Sequence, residues 1–174
     1  QGFDAAFNAK LVNEKNFKFE LGASVGHYKN ELTKLPQGKQ SFETSMYGGT
    51  VLTKVGCPVG VFYGYKTDGV YATSDDASAD GKYILDDAKN PVYFKAGDMN
   101  FVDKDGNGEI NENDRYIIGD PNPDIYGNIN MKFHFGQNWT LSTNFNYSLG
   151  NDIYNYERSV LESGSRFINQ TKAM

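Results

Sequence analysis

The sequence predicts an all-β chain of antiparallel strands, and three observations carry that prediction. Four segments alternate apolar and polar residues with the period-two pattern of a strand that has one wet and one dry face. Aromatic residues are abundant, with 12 Phe and 12 Tyr, and they suit a pleated surface better than a helix. Glycine is also frequent, at 19, much of it at turn-like positions. A length of 174 residues allows one domain or one piece of a larger one.

The elements follow in order. In the first strand Phe3, Ala5, Phe7, Ala9 and Leu11 alternate with Asp4, Ala6, Asn8 and Lys10. In the second, Phe17, Phe19, Leu21, Ala23 and Val25 alternate with Lys18, Glu20, Gly22, Ser24 and Gly26. Asn13-Glu14-Lys15-Asn16 joins them and has hairpin length. Residues 30–125 read differently. They are rich in Gly, Asp, Lys and Thr, with scattered strand-like pieces such as Val61–Tyr65 and a helical turn expected near Thr73-Ser74-Asp75-Asp76, where capping residues precede alanines. The third strand sets Ile129, Met131, Phe133 and Phe135 against Asn128, Asn130, Lys132 and His134. Gly136-Gln137-Asn138 turns it into the fourth, where Trp139, Leu141, Thr143, Phe145, Tyr147 and Leu149 face away from Thr140, Ser142, Asn144, Asn146 and Ser148. Polarity rises again after Leu149.

Short turns at one end, a long connection at the other and strands of about ten residues form the layout of a transmembrane β-barrel wall. On that reading the apolar face meets lipid and the polar face the lumen. Phe17 and Trp139 flank the short turns, and Tyr28, Tyr126 and Tyr147 lie toward the long-loop end, as aromatic girdles require. A soluble sheet with one face on a core alternates in the same way, so the pattern leaves both readings open. Closure of a membrane barrel takes about eight strands, and open edges are not tolerated in lipid. A barrel chain with four strands is therefore expected to be a fragment: a hairpin over 1–29, a long extracellular loop region over 30–125, a second hairpin over 126–149 and the start of the next extracellular loop over 150–174. No stretch of about 18 apolar residues marks a transmembrane helix. No basic-then-apolar leader opens the chain, and no repeat of fixed period is visible. The single cysteine, Cys57, excludes an internal disulfide, and a net charge of −5 argues against a duplex nucleic-acid binder.

One local motif points to chemistry. Asp103-Lys104-Asp105-Gly106-Asn107-Gly108-Glu109-Ile110-Asn111-Glu112-Asn113-Asp114 fits the calcium-loop pattern at positions 1, 3, 5, 6 and 8. Asp103, Asp105 and Asn107 supply side-chain oxygens, Glu109 its backbone carbonyl, and Asp114 stands at position 12, where a longer Glu is usual. Hard cations want six to eight oxygens, so Ca²⁺ is the expected ion, with Mg²⁺ a competitor for the shorter Asp114 arm. Between Gly97 and Asp124, eight acidic side chains face only Lys104 and Arg115, a concentration of charge that a cation would relieve. Asp-Gly and Asn-Gly also form plain polar turns. Val92-Tyr93-Phe94 and Tyr116-Ile117-Ile118 read as strands rather than flanking helices, so a structural ion in a long loop fits better than a sensor.

Other candidates are thin. His27 and His134 have no partner at ligand spacing, and Cys57 has no histidine nearby in sequence. The glycine-rich stretches lack the context of a phosphate loop. Three glycosylation sequons begin at Asn138, Asn146 and Asn169, the first two within or beside strands. No catalytic constellation emerges, so an enzyme is not expected.

The motifs together resemble a known family. They are Gly56-Cys57-Pro58-Val59-Gly60-Val61-Phe62-Tyr63-Gly64-Tyr65, with Cys57 in place of a usual aromatic; Gly97 through Ile110; Asp114-Arg115-Tyr116-Ile117-Ile118-Gly119-Asp120-Pro121-Asn122-Pro123; Tyr126-Gly127; and Gly150-Asn151-Asp152-Ile153-Tyr154-Asn155. In this order they resemble the SusC/RagA-type family of TonB-linked outer-membrane transporters. The resemblance implies a 22-stranded barrel with an N-terminal plug, located in the outer membrane, that imports oligosaccharides or peptides with energy delivered through TonB and a SusD-like surface lipoprotein as partner. It places this chain in the C-terminal half of the barrel, without the plug, the TonB-contacting segment or the final strands, and it carries over Asp103, Asp105, Asn107 and Asp114 as metal-loop residues. The competing expectation is a soluble, secreted β-rich binding module with a dockerin-like calcium loop.

Overall fold

The structure, a computed structural model, describes residues 1–162. In chain order its strands are β1 (Gly2–Asn13), β2 (Phe17–Tyr28), β3 (Ser41–Met46), β4 (Gly49–Lys54), β5 (Val61–Tyr65), β6 (Thr67–Val70), β7 (Tyr83–Leu85), β8 (Pro91–Tyr93), β9 (Met99–Phe101), β10 (Arg115–Gly119), β11 (Ile125–Phe135) and β12 (Trp139–Leu149). Helix α1 (Ser74–Asp80) lies between β6 and β7, and α2 (Tyr156–Glu162) follows β12. All named strand pairs are antiparallel, and the chain forms two compact units. The all-β expectation therefore holds. The described residues do not close into a barrel: their largest sheet has four strands and two edges, fewer strands than a membrane barrel needs. The sequon at Asn169 lies outside the described residues.

The first unit comprises Gln1–Phe42, Thr53–Gly60 and the chain from Asp120 onward, and its sheet runs β1-β2-β11-β12. The polar turns after Asn13 and Phe135 close the two hairpins. The hairpins pair with each other through β2 and β11, from Gly26 against Tyr126 to Phe17 against Phe135. This register stacks the apolar alternation of all four strands into continuous rows: Phe7, Ala23, Ile129 and Phe145 form one, and Ala9, Leu21, Met131 and Thr143 the next. A bulge between Lys10 and Val12 makes Val12, rather than Leu11, the residue that joins the row of Phe19, Phe133 and Leu141. Cross-strand aromatic contacts reinforce the end nearest the short turns. The Phe19 and Phe133 rings stack at 4.6 Å, and Phe17 meets Phe135 at 5.4 Å.

The opposite face carries rows of Asn8, Gly22, Asn130 and Asn144, and of Ala6, Ser24, Asn128 and Asn146. Two of the expected rim tyrosines belong to this polar face. Tyr126 pairs with Gly26 and donates to Asp4 at 3.2 Å, and its ring contacts Tyr28. Their even positions in the alternation put them there; Tyr147 alone joins the apolar side, in the row of Val25 and Gly127. Gly127 sits where no side chain fits. A Cβ there would strike the Ser24 carbonyl oxygen, to which the Tyr147 hydroxyl donates at 2.9 Å.

The second unit comprises Glu43–Leu52 and Val61–Gly119. The sequence marks only scattered strand-like pieces here, but the unit holds a sheet ordered β10-β5-β4-β3 and two small pairs, β6-β9 and β7-β8. Its buried residues include Leu52, Val61, Tyr71, Ala77 and Ile110. The expected helical turn is α1. The Thr73 hydroxyl accepts from the Asp76 amide, and the Asp76 carboxylate accepts from Thr73 in return, a complete capping box.

Gly127→Ala is expected to destabilise the four-stranded sheet by about 1–3 kcal/mol, because the added methyl meets the Ser24 backbone and the Tyr147 hydroxyl bonded to it. Faster amide exchange across the Val25–Gly127–Tyr147 row would register it; unchanged exchange would show that the strands have room to yield.

Candidate metal centre

The acidic loop lies between β9 and β10, so strands flank it on both sides. The strand directly before it is β9, not the Val92-Tyr93-Phe94 segment that the sequence suggests. Backbone pairing ties its second half to β7. Tyr83 donates to the Gly108 carbonyl at 3.0 Å, Ile110 donates to the Tyr83 carbonyl at 2.8 Å, and the Ile110 side chain is buried. That one apolar residue fixes the loop to the unit and leaves the polar positions on either side free to curl.

Of the expected ligands, the structure brings Asp103, Asp105 and Asp114 together: one carboxylate oxygen from each lies within 4.8 Å of the others. Asn107 curls over Asp105, donating its amide to Oδ2 at 3.0 Å while its backbone N–H donates to Oδ1 at 3.2 Å. The Glu109 side chain turns away to accept from Asn111 at 3.3 Å, and its carboxylate is not among the converging atoms.

Backbone amides hold the carboxylates in place. Asp103 accepts from Gly106 and Gly108, each at 2.7 Å, and the Gly108 bond, followed by the Gly106 bond, holds the Asp103 carboxyl below the usual carboxylate range. Gly108 has φ +82°, which a glycine adopts without strain and which turns its N–H back toward Asp103. Asp114 is fully buried. One oxygen accepts from Lys104 N at 2.8 Å and the other from Asn111 N at 2.8 Å. The second bond completes a capping box over the single 3₁₀ turn Glu112–Asp114, in which Asn111 also accepts from Asn113 N at 2.9 Å. Asp114 is thus a structural cap as well as the twelfth residue of the loop. The Asn111-to-Asp114 spacing is the signal for that second role. A carboxylate offers about four lone-pair sites, so these bonds leave acceptor capacity toward the centre of the loop. The three carboxylates that the structure brings together are hard oxygen donors, the kind that suits Ca²⁺ or Mg²⁺ rather than a softer metal.

Cations of the protein itself sit around the loop. Lys104 donates to the Arg115 carbonyl at 2.9 Å, and Lys104 and Lys66 both lie over the Tyr116 ring. Arg115 pairs with Glu43 at 2.8 Å and Glu112 at 3.5 Å and lies over the Tyr65 ring. Below the loop, Lys82 pairs with Asp80 at 2.9 Å and donates to Asn100 Oδ1 and the Phe101 carbonyl. Asp80 accepts from the buried Tyr71 hydroxyl; that bond, then Lys82, lowers the Asp80 pKa, while burial and Asp80 raise that of Tyr71.

The remaining candidates separate from this centre. His27 places Nδ1 2.5 Å from the Asp124 carbonyl oxygen, and His134 bonds Thr140 at 3.0 Å. Cys57 is a half-buried free thiol in the first unit, where its carbonyl accepts from Leu32 N at 3.0 Å.

Asp114→Asn is expected to cost about 1–3 kcal/mol, because an amide group in the same pose leaves one buried backbone N–H facing a donor. Exchange of the Lys104 and Asn111 amides would report it, and equal protection in the variant would remove the capping role.

No protein-family model matches the chain. It is 32% identical over its whole length to TonB-dependent receptor P3 of Formosa agariphila and 27% identical over 88% of its length to TonB-dependent receptor SusC of Bacteroides thetaiotaomicron. It spans 17% and 14% of those proteins. Among solved structures, its fold matches a chain in the structure of the RagAB peptide transporter, with a TM-score of 0.65 and 19% identity over 95% of this chain and 17% of that one. The ordered motifs from Gly56 to Asn155 fall within the span matched to receptor P3, and the chain is a segment of a SusC/RagA-type TonB-dependent receptor, a family of the outer membrane.

Proposed function

We propose that this segment supplies four wall strands and a surface insertion to an outer-membrane transporter that imports oligosaccharides or peptides, energised through TonB and assisted by a SusD-like surface lipoprotein. The observation that carries this reading is the two-faced sheet. Phe3, Phe7, Phe145, Leu141 and Leu149 are each more than half exposed on one face, while asparagines, Ser24 and charged groups occupy the other. Water penalises such an apolar face, whereas lipid accepts it. The polar face then lines the lumen, and strands elsewhere in the receptor pair with the edges of β1 and β12. The segment from Asn30 to Ile125 is extracellular in this arrangement, and Ca²⁺ or Mg²⁺ held by Asp103, Asp105, Asn107, the Glu109 carbonyl and Asp114 stiffens the surface offered to the lipoprotein.

Phe145→Arg in the full-length receptor is expected to impair assembly of the heat-resistant barrel on a gel, since Phe145 lies at the middle of β12 and a cation at mid-wall costs about 2–4 kcal/mol against lipid. Asn146→Arg, one residue on and facing the lumen, is expected to assemble normally. Equal tolerance of both would overturn the wall assignment, and a soluble, monomeric segment without detergent would favour the free-standing secreted module instead.

For the loop, calorimetric titration of the receptor with Ca²⁺ is expected to give a Kd of about 10⁻⁴–10⁻³ M, the range of extracellular sites. Asp103→Asn combined with Asp105→Asn is expected to abolish the signal. Heats that survive this double substitution would place the ion elsewhere.

A further inference from the structure

Asn107 is followed by Gly108, and the structure gives this pair a chemistry separate from cation binding and from transport. Asn107 is exposed, so water reaches it and a small product can leave. Gly108 presents no Cβ to shield its nitrogen, and a Cβ built there would meet nothing nearer than a Tyr83 ring atom at 3.9 Å. The Asn107 side chain is held folded back along the chain, with Oδ1 accepting from Glu109 N at 2.6 Å and Nδ2 donating to Asp105 Oδ2 at 3.0 Å. The Glu109 N–H therefore already points at the oxygen that becomes negative if Asn107 Cγ is attacked, the arrangement that stabilises a tetrahedral intermediate. Gly108 N donates to Asp103 Oδ2 at 2.7 Å, so a carboxylate already stands where the proton released by attack must go. That contact, a carbonyl polarised by a fixed donor and open water are the requirements for intramolecular attack on the side-chain amide.

We propose that Asn107 is a site of spontaneous covalent modification, converted through a cyclic imide to aspartate and isoaspartate. Gly108 N forms a bond to Asn107 Cγ as the Cγ–Nδ2 bond breaks. The proton lost from Gly108 N passes by way of the Asp103 carboxylate and solvent to the departing nitrogen, which leaves as ammonia. One water molecule then opens the imide at either carbonyl. The balance is amide plus water to acid plus ammonia, with no change of oxidation state. Opening at one carbonyl gives aspartate, a further carboxylate at the fifth position of the loop. Opening at the other gives isoaspartate, which inserts a methylene into the main chain between residues 107 and 108. That insertion falls directly before the Gly108 carbonyl that Tyr83 binds and within one turn of the Ile110 amide that binds back. The isoaspartyl form is expected to detach the loop from β7.

The test uses the full-length receptor purified from outer membranes and aged in neutral buffer, with peptide mass spectrometry reading the amide-to-acid mass gain and an isoaspartyl methyltransferase labelling the rearranged product. The exposed Asn113, followed by Asp114 rather than glycine, is the internal comparator. Conversion at Asn107 well ahead of Asn113, with isoaspartate in the product and loss of both signals in Asn107→Gln, where ring closure is slower, supports the assignment. Conversion of Asn107 no faster than Asn113 overturns it, as does an acid product that never contains isoaspartate, because direct hydrolysis would then explain the mass gain. Asn107→Ser, folded or not, carries no amide and sets the background.

Discussion

The pairing of β2 with β11 is the constraint on which the rest of the first unit depends. It joins strands separated by the whole stretch from Tyr28 to Ile125, and it does so over ten consecutive residues of β11. Closing a loop of that length costs on the order of 4 kcal/mol in chain entropy, a cost that grows only logarithmically with length. The ladder and its side-chain rows offset it. Without this pairing the chain would hold two separate hairpins, each marginal in water and each with two bare edges. With it, the apolar rows of all four strands become one face, and the two ends of the insertion are brought to the same end of the sheet. Contacts at that end secure them. His27 meets the Asp124 carbonyl, and Asn30 binds Asn122, whose amide also reaches the Val59 carbonyl.

The second unit solves a different problem. Its central loop concentrates acid, and its backbone is shaped to meet that charge with N–H dipoles. Asp103 and Asp114 each take two amides, and Asp105 and Asn107 each accept an amide of the residue two further on. Charge-assisted bonds of this kind are stronger than neutral ones, and they orient carboxylates without consuming all their lone pairs. The fold of the loop is therefore prepared before any cation arrives. A bound ion would add to a scaffold already held at Ile110 and Tyr83.

Legibility followed the period of the pattern. The four long strands run for 11 or 12 residues and alternate visibly over eight or more, so each announces itself and its face. The strands of the insertion have three to six residues, too few for a period to emerge from a background of Gly and Asp. The β2–β11 partnership leaves no local trace, because nothing in either strand names a partner so distant in sequence. Tyr28 and Tyr126 show the limit of reading position without parity: both lie at the end of the wall where a girdle belongs, but even numbering turns them toward the polar side with Asp4. The acidic loop was legible in its spacing. The second role of Asp114 was harder to see, since a ligand and a cap occupy the same position and only the buried geometry separates them.

These two units divide the physical work. The sheet draws its specificity from parity: a shift of one residue would move the phenylalanines of the apolar rows to the polar face, so any environment that distinguishes the faces also fixes the register. The loop draws its specificity from hydrogen-bond saturation at a few atoms, where a single substitution leaves a named donor without its acceptor. Residues of the apolar rows should therefore tolerate exchange within a class, such as Phe for Leu, because an apolar environment reads only polarity. Loop residues should not tolerate even Asn for Asp at the buried position 114, because there the difference between accepting and donating is the whole of the interaction.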